Sequence, residues 1–205
     1  LKPGILLMDE PLSSLDAKLR TQVREELQDI QQQLGITTVY VTHDQEEALS
    51  LSDAVAVIHH GKLQQAGRPE DVYFTPANRF VADFVGRANF IEPGPADRAA
   101  SATATASGGS AATGRVRMVR PEWLSVQPLE QADVQPAVAG SPQSAALLTG
   151  TVISSSFLGA TVRYRVKCPA FSGGIAVADM PSADGKALPA GTAVALHIAK
   201  EYTIA

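Results

Sequence analysis

The order of elements in the first fifty residues constrains the fold more than any other feature of this chain. A compact apolar run, Ile5 to Met8, follows Pro3-Gly4 and is closed by Asp9-Glu10-Pro11, which reads as a buried strand with acids at its C-terminal end. Leu15, Leu19, Val23, Leu27, Ile30 and Leu34 then recur at helical spacing and mark one face of a helix. Asp16 is placed to cap that helix and Gly35 to end it, which predicts a helix over about 17–34. Thr37 to Thr42 is β-branched and aromatic, reads as a second strand, and delivers His43-Asp44 at its C-terminal end. In open α/β sheets, ligands sit outside the carboxyl ends of the strands, which is where Asp9, Glu10 and His43 fall.

The rest of the first part continues the alternation. A short helix is expected over Gln45 to Leu51. Ala54 to Ile58 and Leu63 to Ala66 flank His60-Gly61-Lys62 and read as a hairpin, Pro69 opens a short helix, and Asn78 caps another through Val85. From Pro93 to Thr113 the chain is almost entirely Ala, Ser, Thr, Gly and Pro, with no periodic apolar face, and reads as a loop or linker. Beyond it come short β-type stretches, Val116 to Val119, Leu124 to Val126, Gly150 to Ser154, Thr161 to Val166, Gly174 to Ala178 and Ala193 to Ile198. They predict a small β-barrel or sandwich, interrupted by an exposed loop over Ala132 to Ala146. The expected organisation is an α/β part over 1–90, a linker over 91–114 and an all-β domain over 115–205.

Composition narrows the possible roles. Of 205 residues, 45% are hydrophobic and 19% charged, enough apolar material for a packed core, and disorder of the whole chain is excluded. A net charge of −4 supplies no positive field to attract nucleic acid or anionic lipid. Cys168 is the only cysteine, so no intramolecular disulfide can form, and its expected state is a small apolar filler. No stretch approaches the roughly 18–20 apolar residues of a membrane span, so contact with a membrane is expected to run through partners.

A strand ending in two adjacent acids can offer one carboxylate to the Mg²⁺ of a nucleotide, usually through water, and a second to polarise the water that attacks the γ-phosphate. Asp9 is the candidate for the first role and Glu10 for the second. A histidine at the end of the next strand, His43, can donate a hydrogen bond to a γ-phosphate oxygen and hold the transferred group in line. Taken singly, acids often end strands and a lone histidine is usually a surface residue.

The joint pattern is more specific. Leu6-Leu7-Met8-Asp9-Glu10-Pro11, Ser13-Ser14-Leu15-Asp16 and Tyr40-Val41-Thr42-His43-Asp44-Gln45-Glu46-Glu47-Ala48 resemble, in order and spacing, the Walker B, D-loop and H-loop series of ABC ATPases. Asp16-Ala17-Lys18-Leu19-Arg20 is similar to importer subunits that energise uptake of sugars, polyamines, ferric iron, sulfate or phosphonates. So are Glu70-Asp71-Val72-Tyr73, Phe84-Val85-Gly86 and Asn89-Phe90-Ile91. Arg120-Pro121-Glu122, Gly150-Thr151-Val152 and Phe157-Leu158-Gly159 resemble phrases of the β-rich TOBE appendage that follows the ATPase domain in those proteins.

The resemblance implies a partial P-loop NTPase domain followed by a TOBE domain, with ATP and Mg²⁺ as cofactors. It makes Asp9 the Mg²⁺-linked acid, Glu10 the catalytic base and His43 the γ-phosphate switch. Ser13, Ser14 and Asp16 become D-loop residues that reach across a head-to-tail dimer to the second copy's nucleotide. It further implies transmembrane permease subunits and an extracytoplasmic solute-binding protein as partners, no nucleic acid, and a location on the cytoplasmic face of the membrane.

Nothing in the chain matches Gly-x-x-x-x-Gly-Lys-Ser/Thr, the loop whose backbone amides and lysine hold the phosphates. Gly61-Lys62 and Gly185-Lys186 lack the preceding glycine and the following hydroxyl, and both read as turns. Phe171-Ser172-Gly173-Gly174 resembles the family's signature loop but lies among β-type segments and is discounted. The family's first half is therefore expected to be missing, and the fragment alone is expected to be inactive. Two other readings compete: the ATPase head of a DNA-repair or chromosome-structure protein, which shares the same loop order, and a non-enzymatic β module that binds small oxyanions.

Overall fold

The structure is a computed structural model that describes residues 4–92, 116–131, 148–182 and 187–204. The linker expected over Pro93 to Thr113, the loop over Ala132 to Ala146 and the turn at Gly185-Lys186 lie outside the described residues. The chain divides into two compact units, Leu1–Gly86 and Arg87–Ala205.

The first unit begins with β1 (Ile5–Asp9), α1 (Ala17–Leu34) and β2 (Thr37–Val41). β1 and β2 pair in parallel, Ile5 opposite Thr37 through Asp9 opposite Val41, so both strands end at the same edge. The Asp16 side chain accepts the backbone N–H groups of Lys18 and Leu19 at the start of α1, and Gly35 ends it at φ 58° and ψ 34°. A Cβ is disfavoured in that left-handed conformation, which is why glycine stands there. Asp44 caps α2 (Gln45–Leu51) in the same way as Asp16, accepting from Glu46 and Glu47 N–H.

β3 (Val55–His59) and β4 (Lys62–Gly67) form the hairpin expected from the sequence. Its two-residue turn, His60-Gly61, has positive φ at both positions (48° and 70°), which matches the twist of the flanking strands. α3 (Pro69–Phe74) starts at its proline, and α4 (Arg79–Phe84) is capped by the Asn78 side chain on Val81 N–H. Val57, Val72, Val81 and Val85 make a small core beneath the hairpin.

The strands described in the second unit all pair antiparallel. β5 (Asn89–Ile91), β6 (Val116–Val119) and β12 (Tyr202–Ile204) form one sheet in the order β12-β6-β5. β7 (Leu124–Pro128), β8 (Leu148–Phe157), β9 (Thr161–Lys167), β10 (Ile175–Pro181) and β11 (Ala193–Ile198) form the other, in the order β10-β9-β8-β11-β7. That sheet curls until its two edge strands approach, with Val126 N–H of β7 directed at the Met180 sulfur of β10 at 3.1 Å.

Alternation on β9 fills part of the interior. On β9, Val162, Tyr164 and Val166 are buried while Arg165 and Lys167 face outward. Val166, Val194 and Leu196 are fully buried, each contributing on the order of 1.5–3 kcal/mol relative to an exposed position. Gly150 is required where β8 closes on β9, because a Cβ there would lie 2.6 Å from Val166 Cγ1 and 2.7 Å from the Lys167 carbonyl oxygen.

Two strands were not anticipated, β5 and β12. Both are three residues long, too short to show a period. β5 belongs with the second unit because Asn89 stitches it there. The Asn89 amide donates to the carbonyls of Val119 (3.2 Å) and Val177 (2.8 Å) and accepts Val177 N–H at 2.7 Å. A buried amide satisfied three times in this way holds two sheets in register.

Candidate functional site

The parallel pairing of β1 with β2 brings the loop after each strand to one edge of the first unit. Glu10 N–H donates to the Val41 carbonyl at 2.8 Å, continuing the ladder one residue past the strand, and Glu10 then turns at φ 45°. Positive φ is uncommon for a residue with a side chain, and such strain concentrates at functional sites. The loop is held in this shape by its own residues. Ser13 N–H and Ser13 Oγ both donate to the Glu10 carbonyl, at 3.2 and 2.9 Å, and Leu12 beneath is buried.

The turn aims the Glu10 carboxylate at the neighbouring loop, where its Oε1 lies 3.1 Å from His43 Nδ1. Both side chains reach solvent, His43 at 72% and Glu10 at 47% exposure, so the pair lines an open edge and a reactant can approach it. Asp9, the last residue of β1, is exposed beside Glu10.

Among the described residues no group of three or more His, Cys, Asp or Glu side chains converges as a metal cage. A hard cation that keeps most of its waters and is shared with phosphate oxygens needs only one or two carboxylates, and the exposed Asp9 at the end of β1 fits that requirement.

The structure places the remaining candidates differently. Ser13 is occupied with the Glu10 carbonyl, Ser14 is exposed, and Asp16 caps α1 with its carboxylate. Asp9, Glu10 and His43 share one edge; Ser13, Ser14 and Asp16 shape the loop that follows it.

A second layer of polar residues behind His43 was not singled out from the sequence. Glu47, 2% exposed, accepts Tyr40 Oη at 3.0 Å and Thr42 Oγ1 at 2.7 Å. Thr42 Oγ1 in turn accepts Asp44 N–H at 2.9 Å. Arg20 of α1 donates to Asp44 Oδ2 at 3.2 Å, and Arg24 donates to Glu46 Oε2 at 3.3 Å. Burial, then the hydrogen bond to Glu47, raise the Tyr40 pKa well above the usual phenol value, so its hydroxyl stays a donor. Glu46 and Glu47 read as ordinary first-turn helix acids, so no sequence signal separates the buried one from the exposed one.

Comparison with known proteins gives the site its context. A TOBE domain family model matches residues 117–205. Over 213 residues the chain is 41% identical to spermidine/putrescine import ATP-binding protein PotA 1 of Pseudomonas aeruginosa, covering 98% of this chain and 53% of that protein. It is 40% identical over 169 residues to the Fe(3+) ions import ATP-binding protein FbpC of Brucella abortus, covering 82% of this chain and 46% of that one. With sulfate/thiosulfate import ATP-binding protein CysA 2 of Chromobacterium violaceum it shares 46% identity over 134 residues, which is 62% of this chain and 36% of that protein.

The chain thus spans about half the length of the curated relatives it matches. No helix among the described residues is long and apolar enough to cross a membrane. The match to PotA 1 over nearly the whole chain, together with the FbpC and CysA 2 matches and the TOBE match over parts of it, shows that the chain belongs to the family of ABC-importer ATP-binding proteins and corresponds to their C-terminal region.

Proposed function

We propose that this chain supplies the hydrolytic edge of the nucleotide site in an ATP-binding subunit that energises solute import. The observation that supports this most is the contact between Glu10 and His43 across the ends of two parallel strands, with Asp9 beside it. Glu10 takes the proton of the attacking water, and His43, whose ring lies beside the Glu10 carboxylate, donates a hydrogen bond to a γ-phosphate oxygen. Asp9 would hold the Mg²⁺ that accompanies the nucleotide, through water, and that ion would supply neutralisation of phosphate charge.

In this reading residues 1–90 are the C-terminal part of a P-loop ATPase domain, 91–114 a linker and 115–205 the TOBE-like domain. The phosphate-binding loop comes from chain outside this sequence. A second copy of the subunit supplies the facing half of the site. Permease subunits and an extracytoplasmic solute-binding protein complete the transporter at the cytoplasmic face of the membrane. The solute belongs to those partners, since relatives named for polyamines, iron(III) and sulfate share this region at 40–46% identity.

The DNA-repair reading and the oxyanion-module reading are both disfavoured. The matched relatives are import proteins, and they match across the α/β residues as well as the β unit. Glu10→Gln in the complete subunit tests the proposal. An amide of the same size keeps the hydrogen-bonding shape but cannot take a proton, so MgATP binding persists while turnover falls by about 10²–10⁴-fold. Wild-type hydrolysis by this variant overturns the assignment.

A further inference from the structure

Arg20 lies between the loop that carries Glu10 and the loop that carries His43, and its guanidinium touches both. Its Nη2 donates to the Leu15 carbonyl at 3.0 Å, inside the Ser13 to Asp16 segment that follows Glu10. Its Nη1 donates to Asp44 Oδ2 at 3.2 Å, one residue after His43. Its Nε lies 4.0 Å from Oε1 of the buried Glu47, which fixes Thr42 immediately before His43. Arg20 itself stands on the first turns of α1, where its N–H donates to Asp16 O at 2.9 Å. One planar group thus spans the two loops and the helix between them.

We infer that Arg20 is a positioning residue for the hydrolytic pair, holding the Asp16 loop and the His43 loop in one register so that Glu10 and His43 meet. This rests on the hydrolytic reading of Glu10 and His43 given above. Arg20 touches neither of them; it acts through the Leu15 carbonyl on one side and through Asp44 and Glu47 on the other.

The chemistry favours arginine over any other cation here. A guanidinium presents fixed donors in two directions from one rigid plane, whereas an ammonium is a point charge that satisfies one strong partner at a time. Asp44 already spends Oδ1 on the N–H groups of Glu46 and Glu47, leaving Oδ2 for Arg20. The cap therefore orients the carboxylate and Arg20 locks it. Partly exposed ion pairs contribute little to stability. The consequence of this one is geometric: displacement of either loop by about 1 Å is enough to cost a large factor in a reaction that depends on alignment.

The test is steady-state ATP hydrolysis by the complete subunit with its permease partners, comparing Arg20→Gln, Arg20→Lys, Asp44→Asn and the Arg20→Gln/Asp44→Asn double variant, with Glu10→Gln alongside. Asn retains the helix cap at position 44 while removing the charge. Arg20→Gln and Arg20→Lys should each lower kcat by about 10-fold, with KM for MgATP within about twofold of wild type and melting temperature little changed. Asp44→Asn should show the same split, and the double variant should be no slower than Arg20→Gln, because both changes break one link.

Wild-type kcat in Arg20→Gln, alongside an inactive Glu10→Gln, overturns the positioning role and leaves the hydrolytic reading standing. Full activity in Arg20→Lys overturns it too, since charge alone would then suffice. If the Arg20 variants do not fold, Asp44→Asn decides, and wild-type kcat there overturns the inference. Wild-type turnover in Glu10→Gln overturns both readings together.

Discussion

The two units of this chain divide the proposed chemistry and the packing between them. The second unit closes its sheet on itself, and Val119, Val166, Val194 and Leu196 have no exposed surface. The first unit holds Asp9, Glu10 and His43, yet α1 buries no residue completely, and Ile5, Leu7, Val39 and Val41 are 60%, 73%, 50% and 52% exposed. Both kinds of surface come from apolar strand residues. What differs is topology: an antiparallel sheet can curl and cover its own inner face, whereas a parallel pair needs layers on both faces and here has a helix connection on one. A core is therefore closed in one unit and partial in the other, and the proposed reactive edge lies on the partial one.

The largest effect that would break this comparison is in the closed core. Leu196→Ala removes a fully buried side chain and should cost about 2–5 kcal/mol in denaturant unfolding of the second unit. A loss below 1 kcal/mol, on the order of an exposed site, would mean that the curled sheet does not close as described.

His43→Ala in the complete subunit comes next. It removes a donor at the open edge and should lower kcat by about 10²–10³-fold, equivalent to about 2.7–4 kcal/mol of barrier, with little change in melting. A matching loss of stability would make His43 part of the packing.

Asp16 sharpens the comparison at the loop between these extremes. Asp16→Ala deletes the cap of α1 and should cost about 1 kcal/mol, whereas Asp16→Asn keeps the cap and should be nearly neutral for folding. If ATP turnover falls in Asp16→Asn as well, the carboxylate has a second task across the proposed dimer.

The smallest effect belongs to the bare face. Leu7→Ser in the chain alone should change stability by less than about 0.5 kcal/mol, because the side chain is already mostly in water. In the longer subunit, with that face covered, the same change should cost roughly 1.5–3 kcal/mol. Equal values in the two proteins would show that the face stays bare.

Much of this molecule is legible without coordinates, and the reason is that its signals are local. The α1 boundaries follow from Asp16 and Gly35, which act on backbone groups a few residues away. The hairpin follows from His60-Gly61, and the β9 interior from the alternation of Val162, Tyr164 and Val166. The acids at the end of β1 and the histidine after β2 are also readable, because a strand ending fixes where its last side chains emerge.

What only the tertiary structure decided depends on residues far apart in sequence. Glu46 meets Arg24 because α1, 22 residues back along the chain, packs beside α2. Asn89 is a structural stitch because β10, 88 residues away, returns beside it. Arg20 bridges two loops because α1 packs beside α2, so that 24 residues of chain separate it from Asp44 and 3.2 Å of space do. Local patterns report what a residue does to its own backbone; contacts that close long loops are set by how whole elements dock, and no window of sequence contains both partners.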